Sequence, residues 1–140
     1  MRFRGRPGWL AAGAIAAGGA AGATLRWAVL SVVETGRFPW TMLAINVAGS
    51  VLLGVLVAQE WTHPRARLLL HDLGGIGFCG GLTTFSTFNV EVVQLIRDGH
   101  AVTAGIYAVA SVAGAIAGVM GGAGALRGLR ALTLPLEERP

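Results

Sequence analysis

The stretch GGLTTFSTF, Gly80 to Phe88, decides how this chain folds. Its nine residues hold two glycines, four hydroxyl side chains (Thr83, Thr84, Ser86, Thr87) and two phenylalanines, and they lie inside an apolar run from Leu73 to Ile96. Glycine weakens a helix and β-branched threonine does little to support one, so the sequence predicts a helix that breaks at Gly80–Thr84. In a bilayer the backbone groups freed by such a break cannot face lipid. They must be buried in protein, line a cavity or bind an ion. Discontinuous membrane helices use freed carbonyls for cations and their positive N-terminal ends for anions. The competing, purely structural reading is a kinked helix whose gap is filled by Thr and Ser back-bonding.

The bilayer is implied by the rest of the chain. Of 140 residues, 54% are hydrophobic and 13% charged, with a mean hydropathy of +0.64. That leaves too little polar side chain to cover a soluble domain of this length. The apolar residues also stand in blocks, not in the stripes of an amphipathic fold. Four blocks reach the roughly 20 residues a transmembrane helix needs: about 9–33, 40–59, 73–96 and 101–126. The connections between them are short, so the chain reads as one all-α integral membrane domain of four spans over residues 1–140. The start, MRFRGRPGWLAAGAIAAGGAAGA, also has the elements of a signal peptide, but its apolar run continues to Val33, beyond the length of such a core.

All eleven basic residues are arginine, and the net charge is +4. No polar domain exists to carry a nucleic-acid patch, so the charges are read as setting topology. With four spans, the tails and the middle loop share one side, which holds Arg2, Arg4, Arg6, Arg65, Arg67, Arg127, Arg130 and Arg139. The other side holds Arg37 and Arg97, and Arg26 lies within a span. Both termini are therefore expected in the cytoplasm. The single Cys79 excludes an internal disulfide and reads as a small packing residue.

Small residues at helical spacing predict close helix packing: Gly18 and Gly22, Gly114 and Gly118, and a stripe of Asn46, Gly49, Ser50 and Gly54. Polar groups within spans are costly and point to a protein interior or an aqueous path. Arg26 and Glu91 either serve such a path or snorkel from nearby span ends. Asn46 lies deeper, where it either lines a path or bonds one helix to another. GIGFCG, Gly75 to Gly80, matches a dinucleotide-binding pattern but lacks the strand and βαβ unit that pattern requires. His63, His71 and His100 have no metal-ligand spacing, and no nucleophile–base pair stands out, so no enzyme is expected. Phe85 and Phe88 are three apart on one helix face. The positive edge of an aromatic ring can face an anion, and with hydroxyls and an amide donor the pattern suits the path of a small anion.

GFCGGLTTFSTF followed by Glu91 resembles the signature of the fluoride channel family called Fluc or CrcB. GGAAGATLRW resembles that family's first-span motif. PWTMLAINVAGSVLLG resembles its second-span pattern, without the usual glycine after Pro39. The resemblance implies a four-helix subunit with a broken third helix, dimerising antiparallel around two ion pathways. It implies a structural sodium ion held by the backbone carbonyls of Gly80 and Thr83 of each subunit. By match, the fluoride pathway takes Asn46, Phe85 and Phe88 beside the hydroxyls of Thr84, Ser86 and Thr87. Tyr107 and Ser111 continue it along the fourth helix, and Arg26 and Glu91 stand at the pore mouths. Ala115, four after Ser111, departs from relatives that carry serine, which puts the far part of that track in question.

The implied function is passive export of fluoride across the cell membrane, relieving toxicity. The partners are fluoride, membrane lipid and a second subunit, with no nucleic acid. Eight arginines against two is a strong bias for a chain that must insert both ways. The expected assembly is therefore a homodimer or an antiparallel heterodimer with an oppositely oriented paralogue. A small proton-coupled multidrug exporter would need a carboxylate deep in its first span, where only Arg26 is ionisable. A non-transporting scaffold would leave the polar cluster after the break unexplained.

Overall fold

The computed structural model describes residues 8–33 and 36–133, and its regular structure is entirely helical among the described residues. Helix α1 spans Gly8–Val32 and α2 spans Trp40–Ala58. We label α3 the helical run of residues 64–82. It has an α turn at Pro64–Ala66, a wider stretch with i→i+5 bonding at Arg67–Cys79 and a closing α turn at Gly80–Leu82. Helix α4 spans Phe85–Arg97 and α5 spans Ala101–Thr133. The basic residues Arg2, Arg4, Arg6 and Arg139 of the topology argument lie outside the described residues.

Among the described residues, three helices are long and apolar enough to cross a membrane: Gly8–Val32, Trp40–Ala58 and Ala101–Leu132. Large apolar side chains such as Trp9, Trp27 and Val102 stand exposed on their outer faces, where a soluble domain would carry charge. The third apolar run is divided at Thr83 and Thr84, both in extended conformation, between α3 and α4.

Helix α3 begins well before Leu73, the start of the apolar run. Pro64 takes the first turn, where its missing N–H costs nothing, and Ala66, Arg67 and Leu68 to Leu70 are good helix formers. Charge ends an apolar run without ending a helix. For the same reason α5 continues past Leu126 to Thr133. Its 33 residues extend about 50 Å, against a hydrocarbon core of about 30 Å. Arg127 and Arg130 in its last turns would thus reach the headgroups.

Two helix pairs meet backbone to backbone. A Cβ added to Gly18 would lie 2.0 Å from the Leu73 carbonyl oxygen, and one added to Gly22 would lie 2.2 Å from that of Phe78. From the other side, a Cβ added to Gly81 would lie 2.1 Å from Gly19 O. Between α2 and α5, Gly54 faces Val119 O and Gly122 faces Val51 O, each at 2.2 Å from the position of an added Cβ. Only hydrogen fits at these points. Residue numbers climb together along both pairs, from Gly18–Leu73 to Gly22–Phe78 and from Gly114–Val47 through Gly122–Val51 to Arg130–Gln59, so α1 runs parallel to α3 and α2 parallel to α5. Arg130 donates to Gln59 Oε1, which sets the end of α5 beside the end of α2.

Between α4 and α5 the chain turns tightly. Gly99 adopts φ 81°, its N–H bonds Ile96 O at 3.1 Å, and the N–H of His100 bonds Leu95 O at 2.8 Å. This double closure is a Schellman cap, and its left-handed residue is a glycine because Cβ would clash there. The turn folds α4 back on α5 around Phe88, Leu95, Ala104 and Tyr107, with Phe38 and Leu43 packed against them.

Candidate functional site

Every backbone group of the break must find a partner, because buried unpaired amides and carbonyls are costly. The N–H of Thr83 goes to Cys79 O at 2.9 Å, and its own hydroxyl goes to the same oxygen at 2.8 Å. In an unbroken helix the N–H of Thr84 would bond Gly80 O. Here it donates instead to Asn46 Oδ1 at 3.0 Å, and Asn46 Nδ2 reaches back to Thr84 O at 3.4 Å. One side chain from α2 thus satisfies both backbone groups of Thr84, and the Gly80 carbonyl is released from that helical bond. Gly80 itself is exposed in the single chain.

The carbonyl end of α3 is held by Arg26, whose Nη1 donates to Gly81 O at 2.9 Å and to Thr83 O at 3.4 Å. A cation at a helix C-terminus also complements the helix dipole. The sequence-based expectation set Arg26 at a pore mouth. The structure places its guanidinium beside the break, because Gly18 and Gly22 draw α1 against α3 and leave it, one turn further on, level with the carbonyls of Gly81 and Thr83.

The other side of the break is the N-terminus of α4. Thr84 caps it, its Oγ1 accepting from the N–H of Thr87 at 3.4 Å and pairing with Ser86 Oγ at 2.9 Å. Thr84 prefers this role because a hydroxyl can replace the missing acceptor of a first turn. The positive end of α4 opens on a cavity of about 250 Å³. Asn46, Ser50, Thr83 and Thr84 contribute to its wall, with Phe85, Phe88, Ser111, Val112 and Ala115. Phe85 and Phe88 stack with ring centroids 5.6 Å apart, yet Phe85 is 75% exposed and Phe88 only 8%. Ser111 is 6% exposed, and its hydroxyl lies beside that of Tyr107 without forming a hydrogen bond of normal geometry. A buried, unpartnered donor beside a cavity is an opening for a ligand or water.

Six expected residues therefore meet at one cavity: Asn46, Thr83, Thr84, Phe85, Phe88 and Ser111. Ser86 and Thr87 stay outside its wall, and each bonds the Thr84 hydroxyl, Ser86 through its side chain and Thr87 through its backbone N–H. Tyr107 also lies outside it, fully buried behind Phe88 with the two rings 5.4 Å apart. Its hydroxyl donates to Glu91 Oε2 at 2.5 Å. Glu91 in turn belongs to a second, polar cavity of about 450 Å³, with Arg37, Gln94, Asp98 and His100. Tyr107 and Glu91 thus stand between the two cavities. This second cavity joins the 36–39 connection to the α4–α5 turn, so both lie at one end of the molecule.

Sequence reasoning read Ser50 only as a packing residue, although it stands four after Asn46 on the same face. Nor did it find Phe38, whose ring meets Tyr107 edge-on at 5.6 Å. No sequence signal marks Phe38, because its contact depends on how the 36–39 connection folds back.

A family model described as "CrcB-like protein, Camphor Resistance (CrcB)" matches residues 13–123. Relatives carrying the name "Fluoride-specific ion channel FluC" include one from Bordetella bronchiseptica, 41% identical over 104 residues, covering 74% of this chain and 81% of the relative. One from Rhizobium leguminosarum bv. trifolii is 40% identical over 119 residues, covering 82% of this chain and 94% of the relative. "Fluoride-specific ion channel FluC 2" of Rhodococcus jostii is 44% identical over 104 residues, covering 74% and 87%.

Proposed function

The chain belongs to the CrcB family, and on that premise we propose that it is a fluoride-specific ion channel whose pathway is centred on the break between α3 and α4. The observation that carries this reading is the convergence of Asn46, Thr84, Phe85, Phe88 and the unpartnered Ser111 hydroxyl on one cavity at a helix N-terminus. A positive helix end attracts an anion, and hydroxyl, amide and ring-edge donors replace the water the anion must shed. From this cavity the polar contacts lead past Phe88 to Tyr107, then to Glu91 and the second cavity.

Transport is passive. Hydrogen fluoride enters a cell as the neutral acid and dissociates at the higher internal pH, and the negative-inside potential then drives the anion out through the channel. The result is relief of fluoride toxicity without ATP or proton coupling. The protein is embedded in a membrane, which we assign as the cell membrane.

The functional unit is a dimer with four spans per subunit, α3 and α4 together making the third. One wall of the cavity carries the exposed Phe85, and Gly80 is exposed close by; a second copy, oppositely oriented, would cover both. To the same place we assign the sodium ion that the family resemblance implies. The Gly80 carbonyl is released from its helical bond, and the Thr83 carbonyl receives only the longer of the two Arg26 bonds. Gly80 and Thr83 of each subunit would hold it through uncharged oxygens. Its service would be structural, tying two breaks together.

The arginine bias points to an oppositely biased paralogue as partner. Arg130 beside Gln59 favours tails and middle loop on one side, as that reading requires.

The decisive experiment is fluoride efflux from liposomes containing the purified protein, with chloride as comparison. Fluoride flux well above chloride flux is expected. Absence of fluoride flux, with and without a candidate partner subunit, would overturn the reading.

A further inference from the structure

Between Ser111 and Arg127 no side chain of α5 is a hydrogen-bond donor. The next position on that face of the helix is Ala115, which lines the cavity with a methyl group, and Val112 beside it is apolar. An anion that had exchanged water for the Ser111 hydroxyl would meet only hydrocarbon if it followed α5. Of the other hydroxyls on its wall, those of Thr83 and Thr84 are already bonded at the break, and the remaining one belongs to a different helix. Ser50 of α2 is 8% exposed and stands four residues after Asn46, the amide that braces the break. The two helices come close at this level because α5 carries Gly118 there. A Cβ on Gly118 would lie 3.2 Å from Ser50 Cβ and 3.1 Å from Val47 O.

Resting on the channel reading above, we propose that Ser50 is a pathway residue of this chain, taking over from Ser111 where Ala115 interrupts the fourth-helix track. The ion route then crosses from α5 to α2 instead of continuing along α5. Three properties fit Ser50 for this. It is buried, so its hydroxyl is shielded from competing bulk water. It borders the same cavity as the unpartnered Ser111 hydroxyl. It is also small, so the hydroxyl adds a donor without filling the cavity. Ser50 consequently has two duties: its size admits α5 at Gly118, and its hydroxyl serves the anion.

The test is fluoride efflux from liposomes for the parent chain, for Ser50→Ala, and for Ser50→Ala combined with Ala115→Ser. Each protein is also compared by its elution profile in detergent. Ser50→Ala removes the hydroxyl and keeps the packing, so an unchanged elution profile is expected with flux reduced roughly tenfold, the scale of one lost hydrogen bond to a charged group. Adding Ala115→Ser returns a hydroxyl to the α5 side of the cavity and is expected to recover most of the flux. Flux of Ser50→Ala within about twofold of the parent, well under the effect of one such bond, would overturn the role of Ser50 and leave the channel reading intact. Loss of flux that Ala115→Ser does not recover would also overturn it, since the effect would then be structural. A parent chain with no fluoride flux, with and without a candidate partner subunit, would instead overturn the channel reading and this inference with it.

Discussion

At the scale of single residues, the site is built from side chains that repair a broken backbone. Asn46 does so most economically, giving one acceptor and one donor to the same residue of the break. Replacing it by alanine leaves the N–H and C=O of Thr84 without their partner in a half-buried setting, at a cost of at most about 1–3 kcal/mol for each group. Asn46→Ala is therefore expected to lower the thermal midpoint of the protein in detergent and to abolish fluoride efflux. An unshifted midpoint would mean that Asn46 does not brace the break. Phe88 poses a different case, since its ring is buried against Tyr107 and Phe85 and also lines the cavity. Phe88→Ile conserves much of the apolar volume but removes the ring edge. Flux should fall sharply while the elution profile stays that of the parent. Unaltered flux would exclude a pore role for the ring. The roles of Asn46 and Phe88 at the break were partly legible, because an amide and paired rings in apolar spans have few uses. Arg26 was not. Its neighbours in sequence suggest a span end, and only the packing of α1 on α3 shows which carbonyls it meets.

At the scale of elements, glycine determines how near two helices come, and different glycines of one helix have different consequences. Gly54 and Gly122 lie where α2 and α5 touch backbone to backbone, whereas Gly121 has open space within the chain. Gly54→Ala would drive a methyl group against Val119 O and force the pair apart, so a loss of the monodisperse protein peak in detergent is expected. Gly121→Ala should leave that peak unchanged or strengthen it, since alanine is the better helix former by about 1 kcal/mol. Equal behaviour of the two variants would contradict the packing described. The i, i+4 rows of small residues made this packing visible in advance at Gly18, Gly22, Gly54 and Gly118. Gly81 and Gly122 were not singled out, because the sequence is so rich in glycine that spacing alone cannot say which ones meet a neighbour. The start of α3 at Pro64 was missed for a related reason. An apolar run marks what lies in hydrocarbon, while a helix ends only where its backbone bonding ends.

At the scale of the whole molecule, the question is how the chain sits in the membrane and what covers its exposed cavity wall. The described arginines already divide unevenly: Arg65, Arg67, Arg127 and Arg130 toward one end, Arg37 and Arg97 toward the other. A reporter fused to the C-terminus is therefore expected to be found mostly on the cytoplasmic side. An even split between the two sides would rule out the biased subunit and favour a homodimer of both orientations. The sequence by itself determined that this is an all-helical membrane protein of the CrcB family, with a helix broken in GGLTTFSTF. Composition, apolar length and local helix propensity are properties of the chain that need no partner to be read. Tertiary structure alone decided where the freed backbone groups go: Arg26 to the carbonyl end, Asn46 to Thr84, and Ser50 and Ser111 to one cavity from two helices. Those assignments join residues tens of positions apart. They depend on close approaches that only the assembled helices make, since the reach of a hydrogen bond is shorter than any spacing along the chain can specify.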